Sequence, residues 1–383
     1  MTVASRYRHL FPVFEKVTYL NSCSQGALAI PVRSALDEYL DGMYERGSLW
    51  DKWVMKQGEL RQLVAQVFKT APSNVAITSN ASAGINSVLS ALDFSGLKNR
   101  IVTTDLEFPT MGQILHAQEL RGAEVIHVAA DPDGILPLER LEAALDDRVA
   151  LVAVTHVCYR TGAMSDIKAA SQLCHKYGIP IIVDAYQSAG SIPIDFDDIG
   201  ADFMVGGFLK YTLGLPGIGF LLVKSDYSSV PTQTGWFAAR DVFAMKTHEY
   251  DPATDARRFE GGTPPIPSVF AAVAGLKLLL EVGLEESWSQ TSIIHQLLRQ
   301  ELVSLGASVL TPEDSISHAG MIAFKSMDEN RLVSALELDQ VIVSSRDGNL
   351  RVSPHFYNDE SDVASFIKAL TDHRSLFAPS SIS

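Results

Sequence analysis

The sequence predicts an α/β fold built on a mostly parallel sheet, on three observations. Short β-branched runs recur through the middle of the chain, amphipathic helix-like stretches lie between most of them, and the pattern changes near Pro265. The runs fall at residues 75–78, 101–104, 125–128, 151–157, 179–183, 203–205 and 218–223, enough for a seven-stranded sheet. Strands that are apolar at every position belong in a sheet covered on both faces. The stretches 82–92, 111–120, 136–145 and 167–175 supply the covering helices. Runs 203–205 and 218–223 are joined without a helix, so one of them is expected to run antiparallel.

Beyond Pro265 the pattern is of helices at 268–280 and 285–305, short strands near 321–324, 341–344 and 350–353, and a last helix over 361–373. This reads as a smaller α+β unit. A chain of 383 residues suits two domains. The expected division is an N-terminal segment (1–30) packed on the small domain, a large domain (31–265) and a C-terminal domain (266–383). The Ser/Pro-rich tail after Leu376 is expected to fray.

Composition narrows the function. Thirty-one Lys and Arg against 45 Asp and Glu give a net charge of −14. Such a balance argues against nucleic acid and anionic membrane surfaces, both of which need a basic face. It leaves room for one basic cleft. Cys23, Cys158 and Cys174 are scattered, which suits a reducing compartment. The N-terminus has no apolar h-region, and the apolar stretch 270–283 is short and broken by Lys277. A cytoplasmic protein is expected.

In open α/β sheets ligands sit beyond the carboxyl ends of the strands. Polar residues that follow the apolar runs are therefore the candidates: Asn80 to Gly84, Glu107 to Thr110, His156, Asp184 to Gln187, and Lys210 with Tyr211. Asp184 ends an apolar strand, where a desolvated carboxylate is costly unless it meets a cation or a strong donor. Lys210 stands among Gly206, Gly207, Phe208 and Leu209, an apolar setting that lowers an amine's pKa towards nucleophilic range. Taken singly, a helix cap and a surface lysine explain each as well. Together they suit a cationic heteroaromatic ring such as pyridoxal phosphate, with Asp184 on the pyridine nitrogen and Lys210 on the aldehyde. The helix starting at Ala81 and Ser82 would offer free N–H groups to the phosphate, and Phe108 a stacking face.

An ordered set of motifs points the same way. N-A-S-A-G-I-N (80–86), E-F-P-T (107–110), T-H-V-C-Y-R-T-G (155–162), V-D-A-Y-Q-S-A-G (183–190) and G-G-F-L-K-Y (206–211) are followed by R-F-E-G-G-T-P (258–264) and L-R-V-S-P-H-F-Y-N (350–358). The set resembles the class V aminotransferase family of fold-type I pyridoxal phosphate enzymes, which includes kynureninase, isopenicillin N epimerase and cysteine desulfurases. The resemblance implies roles position by position. Lys210 would be the Schiff-base lysine and later the acid/base that moves the α-proton, and Asp184 would keep the pyridine nitrogen protonated. Gln187 would bond the ring's phenolic oxygen, Phe108 would stack, and Ala81 and Ser82 would hold the phosphate. Thr263 would reach the phosphate of the other subunit, implying a homodimer with shared sites, and Arg351 would clamp the substrate carboxylate.

Departures from the family narrow the reaction. The stretch 344–350 holds no cysteine, so desulfurase-type persulfide chemistry is not expected. Leu209 stands where desulfurases place a histidine and kynureninase a tyrosine, leaving Gly207, Ser188 or Tyr211 to compensate. Tyr159 and the run Gly235, Trp236, Phe237 resemble the kynureninase branch, yet Met111 replaces an acidic residue there, so kynurenine is not the expected substrate. Gly214, Gly217 and Gly219 precede a strand rather than joining strand to helix, unlike a dinucleotide loop. No metal motif is present. Arg346 and His355 lie near the substrate end, where a capping role is as good an account as a catalytic one. Arg46, Trp50 and Trp53 read best as helix packing.

The expected activity is that of a pyridoxal phosphate enzyme acting on a small amino acid through an external aldimine, as a transaminase or Cα/Cβ lyase. The alternatives are an amino-acid racemase or epimerase, and a catalytically degenerate member that binds the cofactor without turnover.

Overall fold

The computed structural model describes residues 2–377. The expected tail lies, from residue 378 on, outside the described residues. Its strands are β1 (Thr18–Tyr19), β2 (Val75–Thr78), β3 (Arg100–Thr104), β4 (Glu124–Val128), β5 (Val149–Thr155), β6 (Ile181–Asp184), β7 (Phe203–Gly207), β8 (Gly219–Val223), β9 (Ile322–Lys325), β10 (Val341–Ile342), β11 (Ser344–Arg346) and β12 (Asn349–Val352). The central sheet has seven strands in the order β2-β8-β7-β6-β5-β3-β4. Strands β3 to β7 pair in parallel, while β8 pairs antiparallel with both β7 and β2. The helix-less join between runs 203–205 and 218–223 is thus the hairpin-like reversal, and β8 is the one reversed strand.

Every residue of β5, β6 and β8 is buried, as continuous apolar runs require. One face carries Val152, Val154, Ile181, Val183 and Met204 into a cluster shared with the helices Trp50–Val67 and Ile266–Val282. The other carries Leu151, Ala153, Ile182, Phe203 and Val205 against the helices Ala81–Ser90 and Pro109–Ala117. A separate cluster covers the C-terminal sheet β11-β12-β9, with Ile294, Leu298 and Leu302 from the helix Leu284–Ser304 and Phe366 and Leu370 from the helix Glu360–Asp372. Helix Ile266–Val282, expected in the C-terminal unit, packs with the first cluster instead, because eleven of its residues are buried and only a narrow stripe with Lys277 and Glu281 meets water.

The N-terminal segment is laid along the C-terminal elements. β1 pairs in parallel with β10, Asn21 bridges Ser353, and Arg8 holds Asp362 through two bonds of 2.6 and 2.9 Å. That pairing divides the expected single strand over 341–344, since β10 joins β1 while β11 pairs antiparallel with β12. The segment then crosses to the lysine loop. Gly26 N–H donates to Leu209 O at 3.0 Å, and a Cβ on Gly26 would lie 2.3 Å from Lys210 O. Only glycine allows that approach.

Candidate active site

Because six of the seven strands run the same way, the carboxyl ends of β2, β3, β5, β6 and β7 meet at one edge of the sheet. A cleft of about 230 Å³ opens there, lined by Asn80, Ala81, Ser82, Phe108, Asp184, Gln187 and Lys210 among others. Six residues predicted from sequence (Ala81, Ser82, Phe108, Asp184, Gln187 and Lys210) are therefore brought together.

Each is held for a local reason. Asn80 caps the helix Ala81–Ser90 by accepting from Ala83 N at 2.8 Å. The N–H groups of Ala81 and Ser82 in that first turn keep no intrahelical acceptor. Phe108 is the N-cap of the helix Pro109–Ala117; its ring is 41% exposed and meets Tyr159 edge-on at 5.0 Å. Asp184 Oδ1 accepts from Tyr186 N at 2.8 Å, and burial raises its carboxyl pKa against the pull of that N–H and of Lys210. The Lys210 ammonium is pushed down to about 8, chiefly by burial, with Arg351 and Arg346 adding to the shift and Cys23 and Asp184 opposing it. Its Nζ stands 4.5 Å above the Tyr186 ring. That ring fits beside β7 only because residue 207 is glycine, since a Cβ there would lie 2.4 Å from it. Gln187 Nε2 donates to Cys23 O at 3.1 Å, keeping a second N–H, while its buried Oε1 has no partner.

Arg351 stands on β12, the middle strand of the C-terminal sheet, and is 2% exposed. Its guanidinium donates to Tyr159 O at 2.8 Å and to Ser344 Oγ at 3.0 Å, and its Nε is buried without a partner. A buried cation bonded only to neutral groups lacks an anion. Thr263 does not reach the cleft within one chain. It lines a neighbouring cavity with Ser79, Ala83 and Gln233. Glu260 pins its segment beside β2 by accepting from Ile77 N at 2.9 Å and from Arg61 at 2.5 Å.

Of the groups left to compensate for Leu209, neither Ser188 nor Tyr211 lines the cleft. Ser188 Oγ is engaged with His156 Nδ1 at 3.0 Å, and Tyr211 is buried. The contact that Lys210 does have is the Tyr186 face. His355 is structural: it is fully buried, its Nε2 meets Tyr211 O at 2.8 Å, and burial depresses its pKa to about 4. Arg346 is exposed, with Nη1 on Ser345 O. Trp50 packs edge-on against Trp53 and Trp236, as expected of helix packing.

Glu107 and Tyr186 stood among the strand-end candidates, but the sequence reading gave neither a role. Glu107 Oε1 accepts from Thr104 Oγ1 and Thr155 N, both at 2.8 Å, and its Oε2 is buried without a partner. Thr155 is the register neighbour of Asp184, so two carboxyls share one buried region. Burial, then the charge of Asp184, raises Glu107 to about 8. At neutral pH Glu107 keeps its proton, while Asp184, though raised by burial, has the Tyr186 N–H and the charge of Lys210 drawing it back towards the anion. The signal available in sequence was a carboxylate three residues past a buried strand end, beside the aromatic already chosen.

A pH test follows. In the native chain Glu107 binds its proton up to about 8, against 4.5 for an ordinary glutamate. The native state thus holds more protons across that window, and stability falls as pH rises through it. Unfolding of the cofactor-free protein should therefore show Glu107→Gln gaining on the wild type between pH 4.5 and about 8, with a constant difference above.

These groups fit pyridoxal phosphate. An anion site at a helix N-terminus, a carboxylate at the sheet edge, an amine of lowered pKa and a spare Gln187 N–H surround one cleft, with an anion-seeking arginine beyond Tyr159. The fold is that of a fold-type I pyridoxal phosphate enzyme. A family profile described as aminotransferase class-V matches residues 32–367, and the chain belongs to that family. It is 34% identical over 360 residues to the curated protein named uncharacterized aminotransferase YcbU of Bacillus subtilis (strain 168), covering 94% of this chain and 95% of that one. It is 28% identical over 317 residues to kynureninase of Geobacillus thermodenitrificans (strain NG80-2), covering 79% and 74%. A solved structure of a C-DES mutant, with glycine covalently linked to its PLP cofactor, superposes with a TM-score of 0.87 over 97% of this chain and 99% of that one, at 24% identity. The chain is a pyridoxal phosphate-dependent enzyme of the transaminase or lyase type. Among the described residues no single helix is long and apolar enough to cross a membrane.

Proposed function

We propose that the chain is a transaminase for a small amino acid. Among the described residues Lys210 is the only basic side chain lining the cleft, which speaks against a two-base racemase, and the 34% identical relative named an aminotransferase supports transamination over a lyase. Transamination would move one proton between two carbons on either side of a single nitrogen, the substrate's Cα and the cofactor's former aldehyde carbon, which one amine can do. Racemisation by two bases needs a second group on the opposite face, and His156, the nearest histidine in the motifs, is tied to Ser188 rather than lining the cleft.

Pyridoxal phosphate, when bound, supplies an electron sink for the bond broken at the substrate's Cα. In this reading the N–H groups of Ala81 and Ser82 hold the phosphate, Gln187 the phenolic oxygen, and the Phe108 ring covers one face. Asp184, whose anion is favoured by the Tyr186 N–H and the charge of Lys210, faces the pyridine nitrogen. Lys210, a free amine in appreciable fraction near pH 8, holds the aldehyde carbon at rest and carries the α-proton in turnover. Arg351 takes the substrate carboxylate, which supplies the anion its guanidinium lacks. Its replacement by Gln should lower kcat/KM by about 10- to 150-fold, the value of a charge-assisted bond of about 1.5–3 kcal/mol, mainly through KM. Steady-state kinetics on the substrate amino acid measure this.

Thr263 is assigned to the cofactor phosphate of a second copy, and the protein to a homodimer, on the support of its place in a cavity abutting Ser79 and Ala83. A cytoplasmic setting fits three free cysteines. The division at 1–30, 31–265 and 266–383 belongs to the same reading: the separate apolar cluster of the C-terminal sheet supports a small unit from the helix Leu284–Ser304 onward, while the helix Ile266–Val282 packs with the large one.

The test is a panel of amino acids watched for change in the visible spectrum, with keto-acid and ammonia assays. Transamination predicts keto acid without ammonia and turnover that depends on an added keto-acid acceptor. Ammonia released without any acceptor would instead support a lyase, the activity named for the C–S lyase C-DES, whose product complex has a TM-score of 0.86 to this chain at 25% identity.

A further inference from the structure

Away from the cleft, two histidines meet head to head at the outer edge of the central sheet. His116, in the last turn of the helix Pro109–Ala117, and His127, on the edge strand β4, bring their Nε2 atoms to 3.1 Å. Their rings are nearly coplanar, with an interplanar angle of 14° and centroids 5.3 Å apart. Behind each ring stands a carboxylate. Glu119 Oε1 lies 3.0 Å from His116 Nδ1, and Asp105 Oδ1 lies 3.7 Å from His127 Nδ1.

Glu119 accepts from His116 and so selects its Nδ1–H form, which leaves His116 Nε2 as a bare lone pair. Asp105 at 3.7 Å is too far to hydrogen-bond His127, so in the metal-free protein the 3.1 Å contact is an Nε2–H···Nε2 bond. A cation that displaces this one proton, with His127 turned to its Nδ1–H form towards Asp105, meets two ring lone pairs. Imidazoles whose Nδ1–H is held by a carboxylate are the arrangement that orients histidines for a metal. A tetrahedral zinc ion with bonds of about 2.0–2.1 Å spaces two ring nitrogens about 3.3 Å apart. The pair would need to open by a few tenths of an ångström and tilt. Both side chains are well exposed, 48% and 39%, so they can do so and water can complete the ion's shell.

We propose that His116 and His127 bind a divalent transition-metal ion of the zinc class, with Glu119 and Asp105 as the carboxylates that orient them. Nitrogen donors favour zinc, copper and nickel over magnesium or calcium. The ion ties the end of the helix that carries Phe108 and Thr110 at its other end to the exposed edge strand. Its binding raises the melting temperature without changing the cofactor's absorption.

The test is calorimetric titration of chelator-treated, tag-free holoenzyme with zinc chloride, alongside His127→Gln and Glu119→Gln. One saturable site is expected in the wild type, lost in His127→Gln and weakened by at least about tenfold in Glu119→Gln. A rise in melting temperature on adding zinc should appear in the wild type and not in His127→Gln. Zinc binding that is absent from the wild type, or equal in the wild type and His127→Gln, overturns the proposal and leaves the pair bridged by a proton.

Discussion

Lys210→Ala is expected to lower turnover by about 10⁴-fold, the upper end of what a single acid/base group supplies, while the protein stays folded. The side chain lies at the end of β7 in a loop held by backbone contacts such as Leu209 O with Gly26 N, so its loss removes chemistry rather than packing. Among the described residues its amine is the only one lining the cleft. Two signatures separate this from a structural defect. The visible band of the holoenzyme should disappear or shift, and small primary amines added to the solution should restore part of the rate, because they can diffuse into the space the side chain leaves. A variant with undiminished turnover would remove Lys210 from the reaction.

Asp184→Asn is the second large effect. The substitution keeps shape and can keep the bond from Tyr186 N, but it removes the negative charge that the proposed function sets against the ring nitrogen. Loss of one preorganised electrostatic partner costs about 10²–10³ in kcat. The cofactor should still be retained, since Lys210, Gln187 and the helix N-terminus remain, so the loss should fall on kcat more than on cofactor affinity. Equal loss of cofactor binding and rate would instead place Asp184 among the groups that merely hold the loop. Glu107→Gln is the internal comparison. It leaves the Asp184 charge in place, so its rate should fall far less than that of Asp184→Asn.

What the sequence made legible followed from local chemistry. The runs at 75–78 and 218–223 became strands within a residue, because a strand buried on both faces must be apolar at every position. The cleft was legible for the related reason that strand ends are where polar residues reappear. Asp184 and Lys210 stood out as charges in apolar company, and the structure places both at one sheet edge.

What was not legible depended on long-range partners. The run read to residue 157 stops as a strand at Thr155, since His156 turns to meet Ser188. The break between β10 and β11 arises from pairing with β1, more than three hundred residues away. Glu107 looked like part of a loop motif until Thr155 N closed over it. Gly26 gave no sign that its missing Cβ makes room for the carbonyl of Lys210.

The central claim is that Lys210 holds the cofactor. Borohydride reduction of the holoenzyme, followed by proteolysis and mass spectrometry of the pyridoxyl-bearing peptide, tests it most directly. The account predicts a single modified peptide containing Phe208, Leu209 and Lys210, with the label on Lys210. A label on another lysine such as Lys224, or no label on a protein that nonetheless turns over, would contradict it.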